Sequence, residues 1–554
     1  MSEKFGPLVQ LRPLGGLGEI GTNCLAIEQD GGIIVIDCGM SFPQDDLGVD
    51  ILRPDFQWLT DRSAQVRGLV LTHGHEDHLG AVPYLLAELG IPIWGSPHAL
   101  GLVRRRLPEH DLDEREVDLR PVTVGTTFDA GPFVVEPIRV AHSIVEACAL
   151  RIETAAGTIL HTGDFNLDPA PPDGEPTDEA RLRAIGDRGV ALLLSDSTNI
   201  DIPERTGSER AVAAALERHV SAARERVFVV MFASNIQRLM MLGEIARRTN
   251  RKITVLGRSL NTQVDVATEI GRLKWPSDLR VAPEQARSMP REQVLVLAGG
   301  SQAEPASAMA RLARGAHHLL TVEAGDTVVL SSRIIPGNER PVIDMVCQLL
   351  RLGARVHTRI TDPDVHTSGH AGRTEQRRMM ELIRPHAFVP VHGTLHHLQR
   401  HAALARECGI DNVVVVENGT TIVLDEEGVR AGATFPVSKV PIALGGEPLE
   451  QETLWRRAEL GRNGIVHVSV TLDGSRHIVA GPSVSAHGVP GMNNHGAAHN
   501  AVAREITQQV QRLRGRNLDD SRLVEDLRRA TRRCLLEWCG YRPLVEVAVL
   551  VAKP

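Results

Sequence analysis

The hydrophobic pattern along the chain changes style twice. Up to about residue 205, short apolar runs alternate with turn-forming residues. "NCLAIEQDGGIIVIDCG" reads as two strands joined at Asp30-Gly31, and "GLVLTH" as a short buried strand. "HLGAVPYLLAEL" starts a helix, and "FVVEPIRVAH" and "TILHTGDFN" are further strands that end in polar residues. From about Ser208 the strands "RVFVVMF", "KITVLG", "VLVLAG" and "TVVLSS" are each followed by a polar turn and a helix-like segment. Such alternation predicts a parallel sheet with helices on its faces. Ligands of such sheets sit at the carboxyl ends of the strands, where "ASNIQR", "GRSLN", "GGSQAEP" and "SSRIIPGN" fall. After Thr361 the first style returns with "HTSGHAG", a helix, "AFVPVHGTLHHL" and a strand pair around "VVVVENGTTIVL". A linker near Pro436 to Glu450 leads to a final module that reads as small α+β. Its parts are strand "IVHVSVTL", an Asp473-Gly474 turn, strand "HIVAGPSV", two Arg-rich helices and strand "PLVEVAVLV". No fixed-period repeat or low-complexity tract interrupts this order.

Composition narrows the class. At 554 residues the chain needs two or three domains, and 42% hydrophobic with 23% charged residues fits a globular protein. No apolar run is long enough to span a membrane, and "MSEKFGPLVQ" lacks the layout of a secretory signal. The seven cysteines form no C-x-x-C pair, and Cys24 and Cys38 lie in apolar runs, so buried thiols in a reducing, cytoplasmic setting are expected. The net charge of −8 does not steer the chain toward nucleic acid, so a polyanion would need a local basic or amide-lined groove. Arginine supplies nearly all the basic charge, the only lysines being Lys4, Lys252, Lys274, Lys439 and Lys553. That suits bidentate phosphate binding, although genome composition explains it as well.

The densest chemistry is "LVLTHGHEDHLGAV", Leu69 to Val82, where His73, His75, Asp77 and His78 form H-x-H-x-D-H. His73 and His75 face the same way on an extended segment and can grip one ion, while Asp77 and His78 turn into the next helix and reach a second. Without a cation, so many acids and imidazoles behind a buried strand would be poorly solvated. Further ligands must come from other strand ends: His142 in "RVAHSI", Asp164 in "HTGDFN" and His392 in "VPVHG", with Asp164 suited to bridge. Two cations could activate water and clamp a phosphodiester for in-line attack. Glu76 has no ligand role in this scheme.

The array Asp37, H-x-H-x-D-H, His142, Asp164 and His392 resembles the metallo-β-lactamase fold, and the segment between Asp164 and His392 resembles the β-CASP nucleases. "LGGLGEIGTN", "IDCGMSFPQDDLGVDILRPDF", "LTHGHEDHLGA", "SGHAG" and "PVHG" are similar to bacterial ribonuclease J, from about Leu8 to the end. The resemblance implies an α/β fold: a metallo-β-lactamase αββα sandwich with an inserted β-CASP α/β domain and a small α+β C-terminal domain. The expected bounds are 1–205 and 363–436 for the sandwich, 206–362 for the insert, 437–450 for the linker and 451–554 for the last domain. It implies a two-metal ribonuclease acting 5′→3′ on single-stranded RNA, preferring 5′-monophosphate ends, with added endonuclease activity in RNA decay and maturation. Zn²⁺ is expected first, with Mn²⁺ as the alternative. A homodimer or homotetramer through the C-terminal domain, and an RNA-degradation complex, are the implied partners.

By position, one metal would take His73, His75 and His142, and the other Asp77, His78 and His392, bridged by Asp164 and with Asp37 behind a histidine. Asp77, His370 and Asp196 make up the catalytic set, with His370 oriented by Asp196 to protonate the leaving oxygen. Asp196 in "DSTN" reads equally as a helix cap. A histidine at His392, where DNA-acting relatives usually carry valine, resembles the RNA-acting branch. Ser368, Gly369, His370 and Ala371 would hold phosphate through N–H groups at a helix start. Ser234, Asn235, Ser331, Ser332 and Arg333 would line the pocket for the 5′ nucleotide. Two positions depart from the family pattern: Ala303 stands for glycine in "GSQAEP", which would strain a turn needing positive φ, and Thr394 stands for the usual glutamate after "HG". His396, His397 and His401 read as a solvated helix face, and His495 with His499 as a solvated helix start. A small-molecule hydrolase on the same fold and a metal-free RNA-binding scaffold are the rival readings. Against them stand the long insert and the seven ligand candidates.

Overall fold

Leu192, Leu193 and Leu194 are all buried, because both faces of their strand are covered. Leu192 and Leu194 join Ile34, Ile36, Val70, Phe133, Ile152 and Val389 in a core between two sheets. Leu193 and Phe388 point the other way, into a cluster with Leu182, Met379, Met380 and Leu404. Those partners come from the helices Glu179–Arg188, Arg373–Ile383 and Leu395–Glu407, which form an outer layer.

The computed structural model describes residues 8–43, 47–443, 445–492, 496–514 and 519–552. They fall into two units, Met1–Gln44 with Ile51–Val440 and Asp45–Asp50 with Pro441–Pro554. In the larger unit, one sheet has eight strands in the order Gly428–Thr434, Thr420–Asp425, Val9–Gly15, Cys24–Gln29, Gly32–Ile36, Val66–Val70, Ile93–Gly95, Leu119–Pro121. The other has seven: Asn412–Val413, Ala387–Val391, Leu192–Asp196, Gly157–His161, Cys148–Thr154, Phe133–Arg139, Phe128–Ala130. This is the expected αββα sandwich. The Asp30-Gly31 turn forms as read: Gln29 pairs with Gly32, and both turn residues have positive φ (48° and 69°), which matches the twist of a two-residue hairpin.

Between the two parts of the sandwich lies a parallel five-stranded sheet, ordered Lys252–Leu256, Val294–Ala298, Val227–Val230, Thr327–Leu330, Arg355–Thr358. Val227 and Val229 face one helix-covered core and Phe228 and Val230 the other, as a doubly covered parallel sheet requires. The smaller unit centres on Ile465–Leu472, antiparallel to Ile478–His487 and parallel to Leu544–Val551. Alternate residues of the central strand are buried, with Val466, Val468 and Val470 packed against Val502, Ile506, Leu523 and Leu527 from two helices.

Several expectations need correction. The strands flanking "ENG" do not pair, since Asn412–Val413 belongs to the seven-stranded sheet and Thr420–Asp425 to the eight-stranded one. The Asp473-Gly474 turn is a longer loop in which Asp473 Oδ1 accepts N–H bonds from Ser475 and His477, both 2.8 Å. Lys439–Ala443 is a strand within the expected linker. All seven cysteines are free, and Cys24 and Cys38 are buried as expected. No helix among the described residues is long and apolar enough to cross a membrane.

Ala303 adopts φ 61°, the left-handed conformation that its replacement of glycine put in question. A side chain there costs about 1–2 kcal/mol of backbone strain, more than its partly buried methyl returns. Ala303→Gly is therefore expected to raise stability by up to about 1 kcal/mol, read as a higher urea midpoint for loss of the parallel-sheet domain. A lower midpoint would show that methyl packing dominates.

Candidate active site

The histidine motif bridges a strand end and a helix start. The strand Val66–Val70 ends just before it, His75 is extended (φ −77°, ψ 154°), and Asp77 and His78 fall in the first turn of Glu76–Leu79. Gly39 lets the neighbouring strand end approach this turn, since a Cβ there would lie 1.7 Å from the Asp77 carbonyl oxygen. Cys38 N–H donates to the His78 carbonyl (2.7 Å) and Asn23 Nδ2 to that of Asp77 (3.0 Å).

Three donor groups converge here: His73, His75, His142 with Asp164; Asp77, His78, His392 with Asp164; and Asp164, Asp196, His370, His392. Asp164 is common to all three. Its Oδ2 lies 3.2 Å from His78 Nε2, 3.7 Å from His73 Nε2 and 3.8 Å from His142 Nε2. His75 Nδ1 is 3.0 Å from His73 Nε2 and 3.1 Å from His142 Nε2. A tetrahedral ion with bonds of roughly 2.0–2.1 Å needs donor separations of about 3.3 Å, so the spacing suits a small divalent cation.

Four of these imidazoles are oriented by a bond to the other nitrogen. His142 Nδ1 meets the Gly369 carbonyl (2.8 Å), His73 Nδ1 the Thr72 hydroxyl (2.9 Å), His78 Nδ1 Asp37 Oδ2 (2.7 Å) and His392 Nδ1 Asp164 Oδ1 (2.8 Å). Asp37 also accepts the Thr72 N–H and hydroxyl, both at 2.8 Å. It thus lies on the far side of the His78 ring from Asp164. Asp164 Oδ2 and His392 Nε2 are buried with no hydrogen-bond partner, both at the donor clusters. A cation satisfies both atoms, so the residues present fit a metal centre.

The two clusters differ in charge. Burial pushes His73 and His75 well below the usual imidazole range and His142 down to about 4, leaving neutral rings with free lone pairs. Burial also opposes charge on His78 and His392, but Asp164 and Asp77 outweigh it, raising His78 well above its ordinary value and His392 to about 10. Asp164 is held well below the usual carboxylate range: burial works against this, and His392 and His78 overcome it. Positive charge is therefore required around these carboxylates, from protons or from a metal.

His370 stands beside the clusters, with Nδ1 2.9 Å from Asp196 Oδ2. Burial opposes its protonation, yet Asp196 and then Asp164 raise its pKa. The helix-cap reading of Asp196 fails, because no helix starts there: Oδ1 accepts the Thr198 N–H (2.9 Å) and hydroxyl (2.7 Å) in a turn. Gly369 admits no side chain, because a Cβ would lie 2.5 Å from Ser143 Oγ and 2.8 Å from His142 Cε1.

Four family profiles tile the chain. The metallo-beta-lactamase superfamily matches residues 17–200, the ribonuclease J beta-CASP domain 224–349, the Zn-dependent metallo-hydrolase RNA specificity domain 353–415 and the ribonuclease J C-terminal domain 453–551. Ribonuclease J 1 of Streptococcus pyogenes is 38% identical over 87% of each chain. The ribonuclease J of Mycolicibacterium smegmatis is 35% identical over 99% of this chain and 100% of its own. The chain belongs to the ribonuclease J family. It is a metal-dependent RNA-hydrolysing enzyme by that membership. The Mycobacterium tuberculosis ribonuclease J is similar at 35% identity, covering 98% of both chains. A solved protein of unknown function from Enterococcus faecalis shares the fold alone, with TM-score 0.54 and 15% identity over 75% of this chain and 100% of its own.

Within this ribonuclease J chain, several residues expected to touch RNA are occupied internally. Asn235 Oδ1 caps its helix at the Arg238 N–H (2.9 Å) and its amide donates to Glu209 (3.0 Å). Ser331 is fully buried, its hydroxyl donating to the Val365 carbonyl (2.7 Å), and the Ala371 side chain lies in the core. At the helix start after "SGHA", His370 N–H goes to Ser368 Oγ, Gly372 N–H to Glu375 and Arg373 N–H to the Ile202 carbonyl, so these three N–H groups are engaged within the protein. Ser234 is half-buried and Ser332 buried. Arg333 faces no carboxylate among the described residues; it donates to Asn199 Oδ1 (3.2 Å), and burial and then Arg359 lower its pKa.

Sequence reasoning missed Thr72, Asn166 and Asn199, although all three lie beside motifs it singled out. Asn166 Nδ2 donates to the Gly369 carbonyl (3.0 Å), and Asn199 Nδ2 to Ser368 Oγ (2.9 Å) and the His370 carbonyl (3.0 Å). The solvated reading holds only for His396, which is exposed and 3.0 Å from Asp201. His397 closes a helix cap with Thr394 Oγ1 (3.1 Å). His401 is fully buried against Phe388 and Ser197, where burial pushes it to about 3. His499 is likewise buried, and His495 lies outside the described residues. Glu76 pairs with Arg106.

Asp37→Asn removes the charge that orients His78 while keeping an acceptor for Thr72. Metal affinity is expected to fall about 10–100-fold in chelator competition, with the fold intact by circular dichroism. Unchanged affinity would show that His78 needs no such support.

Proposed function

We propose that this enzyme holds two divalent cations, Zn²⁺ or Mn²⁺, and degrades single-stranded RNA from its 5′ end, preferring a 5′-monophosphate and also cutting internally. The observation that carries the reading is the sharing of Asp164 among three donor groups, with the His370–Asp196 pair in the third. One cation would be held by His73, His75, His142 and Asp164, the other by Asp77, His78, His392 and Asp164. Two divalent charges balance the four carboxylates of Asp37, Asp77, Asp164 and Asp196. When bound, such ions polarise the scissile phosphate and lower the pKa of the attacking water.

The remaining steps belong to the chain. Asp196 holds His370 protonated and oriented, so that the imidazolium can donate its proton to the leaving oxygen. Thr198 fixes Asp196 in turn. Arg333 supplies a half-buried positive charge without a carboxylate partner, suited to a terminal phosphate. It reaches Asn199, which itself holds the His370 carbonyl, so the phosphate site and the proton donor are joined by a single side chain. Ser234, Ser332 and the backbone at Ser368 and Gly369 would line the path between them. A role in RNA decay and maturation in the cytoplasm, assembly as a dimer or tetramer through the smaller unit, and membership of a degradation complex follow from the same reading.

The test is incubation with 5′-monophosphate and 5′-triphosphate RNA, with and without EDTA, for the wild type and His370→Ala. Chelator-sensitive release of nucleotides, faster on monophosphate ends, is expected. His370→Ala should lower kcat about 10²–10⁴-fold with metal content unchanged. A loss of only a few-fold would remove His370 as the proton donor, and equal rates on both ends would remove the snug 5′ pocket.

A further inference from the structure

The largest fully buried side chain among the described residues is not apolar: it is Arg238, on the helix Ile236–Arg248 of the inserted domain. Its guanidinium is held in a fork. Nη2 donates to Glu209 Oε1 (2.6 Å), Nε to Glu209 Oε2 (3.3 Å) and Nη1 to the Ser331 carbonyl (2.5 Å), with His366 Nδ1 at 3.3 Å from Nη1. Ser331 follows the strand Thr327–Leu330 and leads to Ser332 and Arg333, and His366 leads into the Ser368–Ala371 loop. One guanidinium thus fastens two segments assigned to RNA contact.

The network continues to the metal ligands. Glu209 N–H and Ser208 Oγ both donate to Asp168 Oδ2, at 3.2 and 2.9 Å. Asp168 N–H donates to Asn166 Oδ1 (3.0 Å), and Asn166 Nδ2 to the Gly369 carbonyl, which also receives His142 Nδ1. Asn235, beside Ser234, closes the other end by donating to Glu209. An unbroken hydrogen-bonded path therefore joins the wall of the 5′-end pocket to a ligand of the first donor cluster.

We infer that Arg238 is a positioning residue that sets the distance between the 5′-end pocket and the metal ligands, and so fixes the length of nucleotide released. The inference rests on the 5′-end reading above. A core needing only volume would take an apolar side chain here, whereas a planar fork fixes direction at three acceptors at once. Lysine keeps the charge but cannot reach these acceptors in one plane.

The experiment compares wild type, Arg238→Lys and the neutral pair Arg238→Met with Glu209→Gln, which leaves no unpaired buried charge. Substrates are a 5′-monophosphorylated oligoribonucleotide and a circular RNA that has no end, with metal content and melting temperature measured on each protein. The pair variant is expected to raise KM for the linear substrate about tenfold and to release dinucleotides beside mononucleotides. Circular RNA should be cut within roughly twofold of the wild-type rate, and Arg238→Lys should fall between. Mononucleotides only, with unchanged KM in both variants, would overturn the inference. So would parallel losses on linear and circular RNA with metal released, which mark a purely structural pair. A wild type indifferent to the 5′ group would instead bring down the pocket reading on which the inference stands.

Discussion

The structure depends on keeping one carboxylate, Asp164, out of water. Only 2% of its side chain is exposed, and its Oδ2 has no hydrogen-bond partner among the described residues. Such a group is tolerable only where positive charge converges on it, and here four imidazole nitrogens lie within 3.8 Å of that oxygen. The rings come from three separate places in the chain, so their convergence needs a frame that does not yield. Two sheets packed face to face, with helices outside, provide it. Strain at the site is accepted in return, since both Asp37 (φ 60°) and His392 (φ 53°) are left-handed although neither is glycine. A side chain in that conformation persists only when its surroundings over-determine it, and both residues are pinned by short hydrogen bonds to the cluster.

The inserted domain meets this frame through apolar contacts, with Val145 in the insert's core and Gly101 against Val266, and through a polar one at Asp168. The Gly369 carbonyl receives both a metal-ligand histidine and Asn166, while Asp168 caps the first helix of the insert. Backbone oxygens are well suited to this task because they move only when the chain moves. The site is therefore stiff where strand ends and caps meet, and the Asp168 cap ties the first helix of the insert to the strand end that carries Asn166.

What could be read from sequence follows from this division. The H-x-H-x-D-H cluster is contiguous, so its chemistry is visible in a single window, and His142, Asp164 and His392 each end an apolar run. The alternating strand and helix pattern likewise showed the parallel sheet, because both faces of its strands are apolar. Contacts made by tertiary approach left no such trace. Asn166, Asn199 and Arg238 sit beside quoted motifs, yet their partners are 160 or more residues away in the cases of Asn166 and Asn199. His401 was misread for a local reason. It shares a helical stripe with Leu398, Ala402 and Ala405, all fully buried, and that spacing outweighs its polarity.

The more instructive case concerns Asn235 and Ser331. Polar residues at the carboxyl ends of parallel strands are the expected ligand contacts of such a sheet, and position alone does not separate them from residues that hold the strand end together. Hydrogen-bond capacity does. Asn235 has its oxygen on a helix N–H and its amide on Glu209, and Ser331 has its hydroxyl on a carbonyl and its own carbonyl on Arg238, so both side chains are engaged within the protein. Asp164 Oδ2 and His392 Nε2 are the opposite case, buried and unmatched. In a site built from the same few residue types, the atoms whose bonding is incomplete are those that await a ligand, and the atoms already matched are those that shape its seat.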